Sequence, residues 1–344
     1  MGKNSEHPTQ DTIAVLGAGT WGSTLAELLA RHGHSVRLWD FDPKVIEALQ
    51  ATRVPGKLPN LHLPQSIALR TDIGAATQAA TAIVFVVPSV GMRATAESLR
   101  RESPDGARRL YVVCTKGIEK GTLLTMSQVL LDVLGEAIRA RLSVLSGPSH
   151  AEEVSRQAPT TVTVAADDPE TARHVQALFF DPTFRVYRHD DILGVEIGAA
   201  VKNVIAIAAG VCDGLGMGDN AKAALITRGL AEIMRLGRAI GARDQTLAGL
   251  SGMGDLIVTA ISRHSRNRNF GELLAHGLTP HQAAETIGMV VEGVPTARAV
   301  HELATRYKVD MPISEEVFAL LYEGKPVARA VQDLLEREPK AEVY

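Results

Sequence analysis

Two lysines and one aspartate are the residues of this chain whose types and positions could do acid/base chemistry. Lys202 stands in the middle of a stretch, residues 194–222, that reads mostly as one apolar helix. Its one-turn neighbours are Gly198, Ala199, Ile205 and Ala206, so the helix itself offers no acid to pair with it. Glu196 is six residues away and falls around the helix rather than beside it. A lysine buried without a partner pays a large desolvation penalty or gives up its proton. Its partner must come from another segment, a ligand or water, unless the side chain snorkels to solvent. Lys116 closes an apolar run and precedes Gly117, where it is either a point charge for an anionic ligand or a solvated loop lysine. Asp255 follows Gly252 and Gly254 at what reads as a helix start. It either caps that helix or orients a lysine from elsewhere, and Lys202 needs such a partner.

A loop a few residues later packs Arg263, His264, Ser265, Arg266, Asn267, Arg268 and Asn269 just ahead of a helix. Charge-assisted donors beside neutral donors suit a phosphate. A solvated face is the alternative. Nucleic acid is disfavoured, because the patch is short, lacks stacking aromatics and sits in a chain of net charge -3.

These groups need a scaffold, and the first half supplies it. Residues 12–16 form a short apolar strand running straight into GAGTWG (17–22) and then a helical pattern ended by Gly33. Strand, GxGxxG and helix in succession meet the requirements of a dinucleotide turn. Gly17 allows the turn, Gly19 lets a pyrophosphate approach and Gly22 lets helix and strand pack. The second strand, 35–39, ends at Asp40, placed where an acid commonly binds the adenosine ribose. Such an acid favours NAD over NADP, while Lys44 could meet a 2′-phosphate, and Asp40 could also be a plain turn residue before a helix at Pro43. Apolar runs at 82–87, 110–115 and 143–146 end in Pro88, Lys116-Gly117 and Gly147-Pro148-Ser149. They alternate with helical segments, the pattern of a doubly wound parallel sheet whose ligands bind at the carboxyl ends of its strands. Segments 160–165 and 184–187 read as further strands in a hairpin-like extension.

From Asp191 onward strand signals give way to helical stripes at 221–240, 270–275, 280–287, 296–307, 313–322 and 327–337. Two domains are expected, 1–190 and 191–344, and 344 residues suffice for two cores. With 45% hydrophobic and 22% charged residues the composition is that of a soluble globular protein. Cys114 and Cys212 lie in apolar segments, as expected of reduced cysteines in a cytoplasmic protein. The opening MGKNSEHPTQD has no apolar core of a signal peptide. The longest uncharged run in the central helix, 204–212, is too short for a membrane span, so no stable membrane insertion is expected.

Assembled, the motifs resemble those of the bacterial NAD(P)-dependent glycerol-3-phosphate dehydrogenases. The resemblance runs from Ile13 to about Leu335. It is carried by GAGTWG (17–22), CTKGIE (114–119), SGPSHAEEV (146–154), the long segment 194–230, SGMGDLIVT (251–259), SRNRNFG (265–271) and VVEGV (290–294). It implies a Rossmann-type sheet followed by an all-helical domain, and interconversion of dihydroxyacetone phosphate and glycerol 3-phosphate with NAD or NADP. It further implies a role in phospholipid synthesis, a homodimer and no metal. By the same resemblance Thr20, Trp21, Phe41, Ala151, Val290 and Glu292 contact the cofactor. Gly147, Ser149, Asp255, Ser265 and Asn267 contact the substrate, Lys116 and Arg266 contact both, and Lys202 is the proton acceptor. Gly198, Ala199 and Ala206 would leave room for substrate and nicotinamide. The competing readings are a related β-hydroxy-acid dehydrogenase and a nucleotide sensor without catalysis. A sensor has no need of Lys116, Lys202 and Asp255 together.

Overall fold

A computed structural model describes residues 11–103, 108–339 and 341–342. Residues 1–10 of the polar opening segment therefore lie outside the described residues. Eight strands form one sheet: β1 (Thr12–Leu16), β2 (Ser35–Trp39), β3 (Ala68–Arg70), β4 (Ala82–Phe85), β5 (Leu110–Val113), β6 (Leu142–Ser146), β7 (Thr160–Ala166) and β8 (Phe184–His189). Their order is β3-β2-β1-β4-β5-β6-β7-β8. The first six are parallel in the doubly wound order typical of dinucleotide-binding sheets. Helices α1 (Thr20–Arg31), α2 (Pro43–Thr52), α3 (Ile73–Thr77), α4 (Met92–Glu102), α5 (Met126–Leu134), α6 (Ala151–Val154) and α7 (Pro169–Phe179) accompany the strands. Aspartates start several of them. Asp42, Asp72 and Asp168 each accept a backbone N–H from the first turn of α2, α3 and α7.

The expected hairpin is corrected by the structure. β7 runs antiparallel to β6, but β8 runs parallel to β7 and pairs Thr160 with Phe184. Parallel neighbours require a crossover. Helix α7, started by Asp168 and Pro169, provides it.

Apolar residues cover both faces of the sheet. Ile13, Val15, Leu38 and Val84 pack on one side with α1, while Ala14, Leu16, Ile83 and Phe85 pack on the other with α4 and α5. Alternation along each strand sends successive side chains to opposite faces, and both faces are buried, which is why these strands read as continuous apolar runs.

Among the described residues every regular element after β8 is a helix: α8 (Ile192–Gly214), α9 (Asp219–Ile240), α10 (Asp244–Leu247), α11 (Asp255–Ile261), α12 (Arg266–Ala275), α13 (Pro280–Ile287), α14 (Gly293–Tyr307), α15 (Pro312–Tyr322) and α16 (Val327–Leu335). Helix α8 is the axis of this part and also its joint to the sheet. Ile192 and Val195 belong to the sheet's second core, whereas Ile197, Val201, Val204 and Ile205 belong to the helical core. By length and composition α8 could cross a membrane, yet 83% of its most apolar window is buried inside the fold. An all-round apolar helix of this kind is the core of a larger packed layer.

Candidate active site

The glycine turn is built as its sequence requires. Gly17 adopts φ +113 and lies so close to the next strand that a Cβ would sit 2.9 Å from the Val86 backbone. A Cβ on Gly22 would sit 1.8 Å from the Gly17 carbonyl oxygen, so helix and strand touch there. At Gly19 a Cβ would meet nothing within 4 Å, leaving open space in front of the α1 N-terminus. No side chain caps that helix end. Free N–H groups facing an open space are what a pyrophosphate needs, so the turn fits a dinucleotide. Asp40 reaches back to the turn: Oδ2 accepts the Ala18 N–H at 2.8 Å and Oδ1 the Asp42 N–H at 3.0 Å. Phe41 beside it is 75% exposed. Lys44 faces a separate small hollow over α2 rather than the main cleft.

The site residues anticipated from the sequence, Gly147 excepted, line one cleft of about 440 Å³ between the sheet's carboxyl edge and the helices. The Gly147 carbonyl instead accepts from Lys116 Nζ at 3.3 Å and from Ser149 Oγ at 2.9 Å.

Lys202 does not snorkel. It is 4% exposed, and its ammonium donates to Asp255 Oδ1 at 2.5 Å and Thr259 Oγ1 at 2.7 Å. The Thr259 hydroxyl in turn donates to the Asp255 backbone carbonyl one turn back, at 2.6 Å. Asp255 is 1% exposed, and its second oxygen accepts from Lys116 Nζ at 2.7 Å. One carboxylate therefore joins two ammonium groups, one from the end of β5 and one from α8. Burial pulls the Lys202 pKa down to about 7, with Asp255 opposing and Lys116 assisting. For Asp255, burial works to raise the pKa, but the two ammonium groups outweigh it and the carboxyl stays below its usual range. The arrangement yields a lysine able to hold or release a proton near neutrality, fixed by a group that remains charged.

The basic loop divides. Ser265 caps α12 by accepting the Arg268 N–H at 3.2 Å, and Arg266 lines the cleft and donates to the Val290 carbonyl at 2.7 Å. Arg268 turns away to Asp213 (2.6 Å) and Glu272 (2.8 Å), and Arg263 is exposed outside the cleft. Asn267 spans between Asn203 Oδ1 and the Gly293 N–H, at 2.9 and 2.8 Å. Glu292 accepts both the N–H and the hydroxyl of Ser89, at 3.0 and 2.5 Å, tying the α14 entrance to the loop after β4.

The small residues around Lys202 serve packing rather than substrate space, which corrects the expectation. A Cβ on Gly198 would lie 2.9 Å from the Ser251 carbonyl oxygen, because a π-helical turn at Leu250–Gly254 presses on α8 and delivers Asp255. Ala199 and Ala206 are buried away from the cleft. His150 and Asn203 line the same cleft, and nothing in the sequence singles out either of them, or Ser89. Thr259 is legible, lying four residues after Asp255 on the same helical face.

The family model of the NAD-dependent glycerol-3-phosphate dehydrogenase N-terminus matches residues 12–172, and that of the C-terminus matches 191–332. A glycerol-3-phosphate dehydrogenase (NAD(P)+) of Moorella thermoacetica is 50% identical over 335 residues, 97% of this chain and 98% of that one. One from Prosthecochloris aestuarii is 50% identical over 332 residues, covering 96% and 99%. The crystal structure of glycerol-3-phosphate dehydrogenase from Coxiella burnetii superposes with a TM-score of 0.91 at 38% identity, covering 96% of this chain and 100% of that one. With both halves matched and relatives similar over nearly their whole length, the chain belongs to the NAD-dependent glycerol-3-phosphate dehydrogenase family.

Proposed function

We propose that this chain interconverts dihydroxyacetone phosphate and sn-glycerol 3-phosphate, with Lys202 as the general acid/base. The observation that carries the assignment is a buried ammonium, pinned by a carboxylate shared with Lys116, on the wall of the cleft that holds the glycine turn. When bound, the nicotinamide supplies the hydride to C2 of the ketone or takes it from the alcohol. Gly17, Gly19, Thr20, Trp21, Gly22, Asp40, Phe41, Ala151, Val290 and Glu292 hold the dinucleotide. Ser265, Arg266 and Asn267, at the start of α12, hold the substrate phosphate, with Gly147 and Ser149 beside it. Lys116 polarises the substrate oxygen and Asp255 orients both lysines. In oxidation the neutral Lys202 amine removes the hydroxyl proton; in reduction its ammonium returns one to the developing alkoxide. A division at 190/191 puts the glycine turn in the sheet part and Lys202, Asp255 and the start of α12 in the helical part, and both parts line the cleft. We further infer a cytoplasmic enzyme that feeds phospholipid synthesis and works as a homodimer. Exposed Leu215, Met217 and Leu335 on the helical part support the last point.

The purified protein is expected to oxidise NADH with dihydroxyacetone phosphate and not with 2-keto acids; the reverse preference would reject the assignment. NADH should exceed NADPH by at least about tenfold in kcat/KM, because the residues lining the cleft after β2 are Asp40, Phe41, Asp42 and Val45, which offer no cation to a 2′-phosphate. Asp40→Ser should narrow that ratio, and equal use of both cofactors by the unaltered protein would remove Asp40 as the selector.

The proton role fixes a sign for pH. With Lys202 titrating at about 7, oxidation needs the amine and should speed up as pH rises through that value. Reduction needs the ammonium and should slow over the same interval. Profiles of kcat in the two directions between about pH 5.5 and 9 test this. Parallel profiles would contradict it.

A further inference from the structure

Glu196 is 4% exposed and shares α8 with Lys202. Six residues advance a helix by about 9 Å and turn it by roughly 240°, so the two side chains leave α8 on different faces. Lys202 meets Asp255 and Thr259 on α11. Glu196 meets α5 of the sheet part instead: one oxygen accepts the Ser127 backbone N–H at 2.8 Å and the other the Ser127 hydroxyl at 2.5 Å. Ser127 is the second residue of α5. The carboxylate therefore takes up an N–H that the first helical turn leaves unpaired and faces the positive end of the helix. Thr125, just ahead of α5, already has its N–H satisfied by Gln128 at 2.9 Å, so Glu196 adds a second anchor brought from another part of the fold.

Between Ile192 and Val201 the helix carries one charged side chain, Glu196, among Gly, Ala and aliphatic residues. Apolar contacts are non-directional, so toward the sheet Glu196 supplies α8 with a directional contact, as Lys202 does toward α11. A turn of about 20° would carry a side chain on its surface by roughly 2 Å, close to the whole length of the Lys202–Asp255 bond. We propose that Glu196 is a positioning residue: by gripping Ser127 it sets the rotation of α8 against the sheet, and so places the Lys202 ammonium between Asp255 and the cleft. The proposal rests on Lys202 being the acid/base.

Glu196→Ala is expected to lower kcat about 10- to 100-fold, since misplacement on the ångström scale costs that much. KM for dihydroxyacetone phosphate should change less than about threefold. The pH inflection of kcat should move as well, because displacing Lys202 alters the burial that chiefly lowers its pKa and its distances to Asp255 and Lys116, with His150 the further titratable group facing it. Glu196→Gln keeps an oxygen for the Ser127 N–H and can donate to its hydroxyl, so it should recover kcat to within about fivefold. NADH binding, followed by fluorescence, should stay within about twofold in both variants, since α8 residue 196 lies off the cleft. Should Glu196→Ala not fold, Glu196→Asp, one methylene shorter, carries the same expectation of lowered kcat and a displaced inflection. A lowered Tm with unaltered kcat and pH profile would make Glu196 a purely structural residue and overturn the proposal. Equal losses in the Ala and Gln variants would do the same. Lys202→Ala measured alongside separates the layers: retained turnover there removes the acid/base reading itself, whereas lost turnover there beside intact Glu196→Ala removes only the positioning role.

Discussion

Lys202→Ala is expected to lower kcat in both directions by about 10²- to 10⁴-fold, the range over which a positioned acid/base contributes, while NADH still binds. The variant should fold, because Asp255 keeps Lys116 as a partner at 2.7 Å and is not left as an unpaired buried carboxylate. Lys202→Arg should be nearly as inactive despite keeping the charge. A guanidinium does not release its proton in a protein, and its planar fork does not fit a site shaped for a point donor to Asp255 and Thr259. Turnover by stopped-flow and NADH affinity by fluorescence titration separate chemistry from binding. Turnover above about a tenth of the original in the Ala variant would remove Lys202 from the mechanism.

The lysine was readable because burial and its consequence are local facts: no acid stands within a turn of it on α8. Its partner was legible as a need with a candidate, Asp255, which stands 53 positions further along the chain. The glycine turn was likewise legible, since strand, glycines and helix are consecutive and each glycine answers a local steric demand. What failed to show was non-local. Strand β3 is three residues long, Ala-Leu-Arg, too short for any alternation to register. The direction of β8 depends on a crossover helix rather than on its own residues. Around the start of α12, three arginines look alike in sequence, and only the fold decides that Arg268 answers Asp213 while Arg266 faces the cleft. Gly198 and its neighbours looked like room for a ligand because the sequence cannot reveal that the π-turn before Asp255 fills that room. Glu196 reads only as too far round α8 to pair with Lys202, because its partner Ser127 stands 69 positions away on α5.

Asp255→Asn should have the other large effect, and a distinctive dependence on pH. The amide matches the carboxylate in shape but offers one acceptor where two ammonium groups were held, and turns an N–H₂ toward one of them. Breaking a buried ion pair by removing one partner ordinarily costs about 3–5 kcal/mol. Here Lys202 can escape part of that cost by losing its proton, so its folded pKa should fall further below the value of about 7 set in the parent site. Its unfolded pKa stays near that of an ordinary lysine. Between the folded and unfolded values the unfolded chain binds the extra proton, so stability rises with pH across that window. In the parent protein the window opens at about 7; in the variant it extends lower. Above about pH 8 Lys202 is largely neutral in both folded proteins, and their difference in Tm should be flat. Below about pH 7 the parent binds the proton and the variant resists it, so the difference should widen as pH falls. Activity should follow: reduction near neutrality drops about 10²-fold or more for want of the ammonium and of its orientation, and what remains shifts its optimum to lower pH. Thermal unfolding of both proteins at pH 6 and pH 8.5, read beside the kcat profile, tests the linkage. An equal Tm difference at the two pH values would mean that Asp255 does not hold the Lys202 proton, and the shared-carboxylate account of the site would have to be abandoned.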